Sequence, residues 1–326
     1  MIGLIAALAT VALVTLLAGI PALSLPELRD ALAGTGDERA ALGVRHLRLP
    51  RLVLAVCGGA GLGLAGALAQ DSLRNPLAGP ELLGISSGAA TVAAAVIVFE
   101  MPVPFTVLPF LTLAGGLLSA GVVLAVMTRL RCPPSSPVLV LAGAALSAAF
   151  GAAVTMIVTF GERQEVGAVL RFLTGSLAGS GWPSVRVALP WLAVGIPAAL
   201  MLARPLNLLR TGDDLAEGAG LAVVPARAAA LGLCAVLTAA LVAVAGAIGF
   251  VALSAPHIAR RLLGTTDARR VLPMAAVVGA LLLAGADLAA RLAFSPVEVS
   301  VGLWTGIVGG PVLLAVLRAQ LRGSGE

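Results

Sequence analysis

Residues 70–88 read QDSLRNPLAGPELLGISSG. The stretch sets Asp71, Arg74, Asn75 and Glu81 between two apolar runs. Pro76 and Pro80 stand four residues apart, and a small-residue string (Gly84, Ser86, Ser87, Gly88, Ala89) follows. Proline removes a backbone donor and stops a helix, and small residues let neighbouring helices approach closely. Polar, irregular backbone at membrane depth survives only where protein or a water-filled cavity satisfies it. The stretch therefore predicts a helix-breaking hairpin that lines a constriction, with a plain interhelical loop as the alternative.

The flanking sequence decides the class. Hydrophobic residues fill 59% of the 326 positions and charged residues 11%, and mean hydropathy is +1.05. Soluble domains carry about 25% charge, so this surface faces lipid. Apolar runs near the ~20 residues that cross a bilayer recur at about 2–20, 52–69, 82–99, 105–127, 138–160, 185–203, 228–246, 247–259, 271–290 and 301–317. They predict an all-α integral membrane protein of about ten transmembrane helices forming one domain over residues 1–326. The eighth is short and broken by Pro256. The first run lacks a positive n-region and reads as a retained helix. No P-loop pattern occurs, and Cys57, Cys132 and Cys234 share no metal-type spacing, so packing is their reading. The net charge of +5 comes from arginine alone, which in such a chain speaks of topology and lipid headgroups and not of nucleic acid.

With ten spans and the N-terminus inside, both termini are cytoplasmic. Twelve arginines then fall inside and nine outside, and five of the nine (Arg29, Arg39, Arg45, Arg48, Arg51) share the loop between the first two spans. That loop breaks the positive-inside rule. Sliding the chain on itself aligns 65–84, AGALAQDSLRNPLAGPELLG, with 245–264, AGAIGFVALSAPHIARRLLG, pairing Pro76 with Pro256. Residues 107–121 likewise match 271–285. The copies lie five spans apart, an odd number, so the halves cross the membrane in opposite directions. Inverted repeats with broken helices at their interface are a transporter arrangement.

Several long segments then resemble one family. LRLPRLVLAVCGGAGLGLAGALAQDSLRNPLAGPELLGISSGA (47–89) is similar to the opening signature of FecCD-type permeases, membrane subunits of ABC importers for ferric siderophores, haem and cobalamin. The likeness continues through LAGAALS, LTGSLAGSGW, LNLLRTGDDLAEGAGL, GAIGFVALSAPHIARRLLG, LLLAGADLAAR and VEVSVGLWTGIVGGPVLLAVL, over about 47–320. The resemblance implies a type II ABC importer permease fold, with inverted halves at about 47–160 and 206–320. It implies a second permease subunit, identical or paralogous, two cytoplasmic ATPase subunits that use the ATP, and an extracytoplasmic binding protein. It implies a multi-pass location in the bacterial cytoplasmic membrane, and no cofactor held by this chain. Asn75, Leu77, Ser135 and Ser136 fall where the family places cytoplasmic gate residues. Residues 206–220, with Leu206, Thr211, Gly212, Asp213, Asp214, Glu217, Gly218 and Gly220, correspond to coupling helices that dock on the ATPase. Arg48, Arg51 and Arg291 match outward arginines that meet carboxylates of the binding protein, which would explain the charge-rule exception. Ala247, Ala252 and Ser254 depart from the family's usual GPIGFVGLIVPH, and EVSVG replaces ELPVG.

Single residues complete the expectation. His257 follows Pro256 at a helix break and reads as a structural histidine bonded to backbone that the proline frees; a metal would want more partners than His46. Asp287 and Arg291 are spaced i, i+4 and can pair on one face. Thr211 can cap a short helix whose first turn holds Asp213 and Asp214. Two other classes compete with the importer permease. An ion-coupled secondary transporter needs intramembrane carboxylates beyond Asp287, with Glu298 the one nearby candidate. An intramembrane enzyme needs a catalytic grouping, which two histidines and no tyrosine do not supply.

Overall fold

Each apolar run read above folds into helix in the computed structural model, which describes residues 2–19, 22–104, 106–130, 137–295 and 297–323. The ten are α1 (Ile2–Leu17), α4 (Leu49–Ser72), α5 (Ile85–Val98), α6 (Leu108–Leu130), α7 (Pro137–Val158), α9 (Trp182–Met201), α12 (Val223–Ala245), α13 (Val251–Leu263), α14 (Ala268–Leu292) and α15 (Val301–Gly323). Five short helices lie between them: α2 (Leu25–Ala33), α3 (Glu38–Leu42), α8 (Arg163–Thr174), α10 (Ala203–Thr211) and α11 (Asp213–Gly218). A π-helical turn at Gly43–Arg48 leads into α4, and a 3-10 turn at Pro80–Leu83 leads into α5.

Among the described residues, six helices are long and apolar enough to cross a membrane. At 1.5 Å per residue, the 14 residues of α5 and the 13 of α13 reach about 20 Å, less than the ~30 Å hydrocarbon core. α13 also carries His257, Arg260 and Arg261. Both therefore end inside the protein, next to irregular backbone. Three of the short helices, α2, α3 and α8, were not expected. Their signals are local: Glu27 accepts from the Ser24 N–H and Glu165 from the Glu162 N–H, each at 2.7 Å, a third-residue carboxylate closing the helix start.

The glycines of α4 decide what packs on it. A Cβ at Gly59 or Gly63 would stand 2.4 or 2.1 Å from the carbonyl oxygens of Gly279 and Ala275 in α14, and one at Gly66 would lie 1.6 Å from that of Ala252 in α13. Gly58 and Gly61 receive Leu241 of α12 and Leu192 of α9. Small residues in place of side chains let backbones approach this closely, so α4 becomes the shared wall of the bundle. Pairings recur in matched sets: α4 lies along α14 and α12 along α6, while α5 packs on α6 and α13 on α14. The exchanged partners are five spans apart, as halves of opposite direction require. At the other extreme, 17% of Leu141–Val158 in α7 is buried, against 78% at α4, so α7 gives most of its surface to something outside the chain.

The repeat does not fold identically in its two copies. Pro76 lies in the turn beyond α4, whereas Pro256 lies inside α13. In the first copy Asn75 Oδ1 accepts the Leu77 N–H at 2.9 Å, and this side-chain-held turn, with Pro80 behind it, excludes helix. The second copy has Ala255 and His257 in those places, and its helix runs past the proline. Pro256 leaves the Ala252 carbonyl without its helical donor, and that carbonyl is the one facing Gly66.

Candidate coupling and gate site

At one end of the bundle α9 passes into α10, whose Leu206 and Leu209 are fully buried. Leu206 thus seats α10 against the bundle and is not part of an outer surface. The Thr211 hydroxyl donates back to Leu208 O at 2.8 Å, so it closes α10 and does not cap α11. Gly212, at φ 115, makes the turn, and Asp213 and Asp214 then open α11 at its positive end. Asp214, Leu215, Glu217, Gly218 and Gly220 are exposed, Leu215 to 68%. The result is a polar elbow with one protruding apolar side chain.

The elbow is fastened to α14 by a residue the sequence reading passed over. Asn207 Nδ2 donates to Asp267 Oδ1 at 2.6 Å, and Asn207 Oδ1 accepts from the Ala268 N–H at 2.8 Å. The Asn207 bond and the Arg269 backbone N–H hold the Asp267 carboxyl below its ordinary value. Arg210 of α10 donates to the Thr266 carbonyl.

The hairpin after α4 sits between the elbow and α13. The Asn75 N–H donates to Gln70 O at 3.1 Å, and Arg74 between them is left-handed, φ 49. This helix ending normally uses glycine, and a side chain in that conformation costs roughly 1–2 kcal/mol. From α13, Arg260 donates to Gln70 Oε1 at 2.6 Å and to Asp71 at 2.9 Å, Gln70 Nε2 donates to Leu253 O at 3.1 Å, and His257 Nε2 meets Pro76 O at 2.7 Å. The carbonyl that His257 meets belongs to the hairpin and not, as expected, to backbone freed by Pro256 in its own helix. From the elbow, Arg210 approaches Asp71 at 3.6 Å and Asp213 pairs with Arg74 at 3.1 Å. Asp213 also accepts from Arg227 at 2.8 Å, and Arg227 Nε donates to Ser72 O at 3.0 Å.

Burial ranks these bonds. Asp71 and Arg227 are 3% and 7% exposed, and stripping one partner from a buried ion pair costs about 3–5 kcal/mol. Arg74 and Asp213 are each 31% exposed, where a pair contributes about 0–1 kcal/mol. The hairpin is held firmly by α13 and lightly by α11. Asn75 and Leu77 stand at its tip, Leu77 exposed to 39%. Ser135 and Ser136 lie outside the described residues.

At the opposite end, the outer arginines are not free surface charges. Arg48 donates to Leu16 O at 2.7 Å, and Arg291 to Thr15 O and Ala18 O at 3.2 and 2.9 Å. Together they satisfy carbonyls that the end of α1 leaves open. Arg51 binds Asp287 at 2.8 Å and Glu298 at 3.0 Å. The expected Asp287–Arg291 pair is thereby replaced: Asp287 is 1% exposed, and Arg51, 8% exposed on the facing helix, neutralises it, leaving Arg291 to α1. Arg39, Arg48, Arg51, Arg291 and Glu298 line a cavity of about 1000 Å³. Among the described residues no group of three or more His, Cys, Asp or Glu could hold a metal ion.

Known proteins resemble this chain in sequence and in fold. The sequence model of the FecCD transport family matches residues 6–319. The Fe(3+)-citrate import system permease YfmE of Bacillus subtilis (strain 168) is 40% identical over 280 residues, 86% of this chain and 83% of that one. The hemin transport system permease HmuU of Yersinia pestis is 39% identical over 287 residues, 86% and 84% of the two chains. A solved inward-facing conformation of an ABC transporter assigned to the metal-chelate type superposes with a TM-score of 0.84 at 29% identity, covering 98% of each chain.

Proposed function

Because this chain belongs to the FecCD transport family, we propose that it builds one half of a transmembrane pathway for a ferric chelate. It is the permease subunit of an ABC importer for iron chelates, haem or cobalamin, and it is not an enzyme. ATP is used by a partner ATPase. Within that class, the proposed cargo is a ferric siderophore or ferric citrate, in keeping with the ferric-citrate relative.

The observation that carries the proposal is the elbow of α10 and α11: too short and polar to cross a membrane, exposed at Asp214, Leu215 and Glu217 to Gly220, and joined by charge to the hairpin. Such an elbow can receive a push from outside the membrane and pass it inward. We assign this end to the cytoplasm, with one of the two ATPase subunits docked on Leu215, Glu217 and Gly218 and the other on the second permease subunit, and both termini on the same side of the bacterial cytoplasmic membrane. The little-buried α7 faces a second permease subunit, a copy or a paralogue, and Asn75 and Leu77 narrow the pathway between them. Nucleotide binding shifts the pair between inward-open and outward-open states, and this chain supplies the element that has two states.

The cavity of Arg48, Arg51 and Arg291 at the opposite end receives carboxylates of a delivery protein, which must compete with Glu298 for Arg51. Asp287, the intramembrane carboxylate an ion-coupled transporter would use, is instead bound by Arg51. Co-purification tests the reading: the tagged chain should bring down a stoichiometric ATPase whose activity rises when loaded binding protein is added. A chain that transports a ferric chelate on an ion gradient without any ATPase would overturn it.

A further inference from the structure

The geometry points to Arg74 as a positioning residue that couples the movement of α11 to the gate hairpin through Asp213. This inference rests on the permease reading and adds a residue to it.

Arg74 occupies the one backbone position at the end of α4 where glycine is the natural choice, at φ 49. An arginine held there is strained, and strain persists where the surroundings over-determine it and concentrates in switch regions. The cap itself needs no side chain, since the Asn75 N–H reaches Gln70 O through backbone alone. What the side chain adds is the bond to Asp213 at 3.1 Å, with its guanidinium lying beside Gly212 at the turn into α11.

Asp213 is shared by two arginines of different character. Arg227 is buried, and it also holds Ser72 O at the end of α4. That bond fixes where Asp213 rests relative to the bundle. Arg74 is partly exposed, and it is the immediate neighbour of Asn75 at the hairpin tip. When α11 is displaced, the Arg227 side resists and the Arg74 side gives. The hairpin tip therefore follows or releases according to where the Asp213 carboxylate stands. A pair of this exposure is weak enough to break and remake in each cycle, which a tie between moving parts requires and a static brace does not.

Arg74→Gly separates coupling from capping, because glycine keeps the helix ending and relieves its strain while deleting the tie. The readout is uptake per ATP hydrolysed, in proteoliposomes holding the permease with its ATPase and binding protein, alongside the melting temperature of the complex. Arg74→Gly should keep or raise the melting temperature and lower uptake per ATP about two- to fivefold, the most a pair of this exposure can supply. Arg74→Lys should recover part of the loss, and Asp213→Asn combined with Arg74→Gly should be no worse than Asp213→Asn alone. Wild-type uptake per ATP in Arg74→Gly would overturn the inference, as would a melting temperature that falls in step with uptake. Assembly of the unmodified chain with an ATPase is scored first, so failure of the permease reading shows there and not in the variants.

Discussion

Replacing Gly66 by alanine adds one methyl group where the structure has no room for it. The new Cβ would sit 1.6 Å from the Ala252 carbonyl oxygen. Reaching an ordinary 3.4 Å contact requires α4 and α13 to part by about 1.8 Å, the difference of the two distances. At that separation the bonds of 2.6–3.1 Å that Gln70, Asp71 and Pro76 make to α13 leave hydrogen-bonding range. Two of them involve the Arg260 cation, at roughly 1.5–3 kcal/mol each, and two do not, at roughly 1 kcal/mol each. The loss comes to about 5–8 kcal/mol, against at most ~1 kcal/mol gained in helix propensity. A net cost near 5 kcal/mol lowers the melting temperature of a chain this size by about 7 °C. Gly232→Ala in α12 is the control, because a Cβ there meets nothing within 4 Å. Thermal melting and size-exclusion profiles of the detergent-solubilised proteins measure the contrast. If Gly66→Ala melts within ~2 °C of its parent while Gly232→Ala behaves the same, the close approach of α4 and α13 is not what the geometry says.

Other expectations follow from the same distances. Gly218→Trp, at an exposed position where added atoms meet nothing, should leave insertion and melting unchanged but abolish ATPase stimulation; normal stimulation would remove this face of α11 from the docking surface. Arg51→Met should cost about 3–5 kcal/mol by leaving Asp287 buried and unpaired, read as lost membrane yield, and Arg51→Met with Asp287→Leu should recover most of it. Single cysteines at Asn75 and Leu77 should cross-link to the facing subunit in one nucleotide state and not the other; cross-linking indifferent to nucleotide would leave the hairpin a plain loop.

The spans were legible because twenty apolar residues have one use, and the breaks at Pro76 and Pro80 because proline acts locally. What joins the parts was not. Arg51 finds Asp287 across 236 residues and Arg260 finds Asp71 across 189, and nothing in the neighbourhood of either residue announces its partner. The i, i+4 spacing of Asp287 and Arg291 offered a nearer pairing that burial overruled. Residue-by-residue matching likewise equated Pro76 with Pro256, where the difference between Asn75 and Ala255 decides between turn and helix. Glu27 and Glu165 carried readable start signals for α2 and α8, hidden by attention to hydropathy.

The grip of Arg48 and Arg291 on the end of α1 has a consequence for how the chain is made. α1 is synthesised ahead of α14, and Arg291 reaches its Thr15 carbonyl across 276 residues. At about 5–20 residues per second, roughly 15–55 s of translation separate the two ends of that bond. Through that interval the Thr15 and Ala18 carbonyls lack their Arg291 donor, while Leu16 is within reach of Arg48 as soon as α4 begins. The final seating of α1 is then among the last events of assembly, and a chain stalled before Arg291 should leave α1 undocked, read as protease or thiol-reagent access to its inner face.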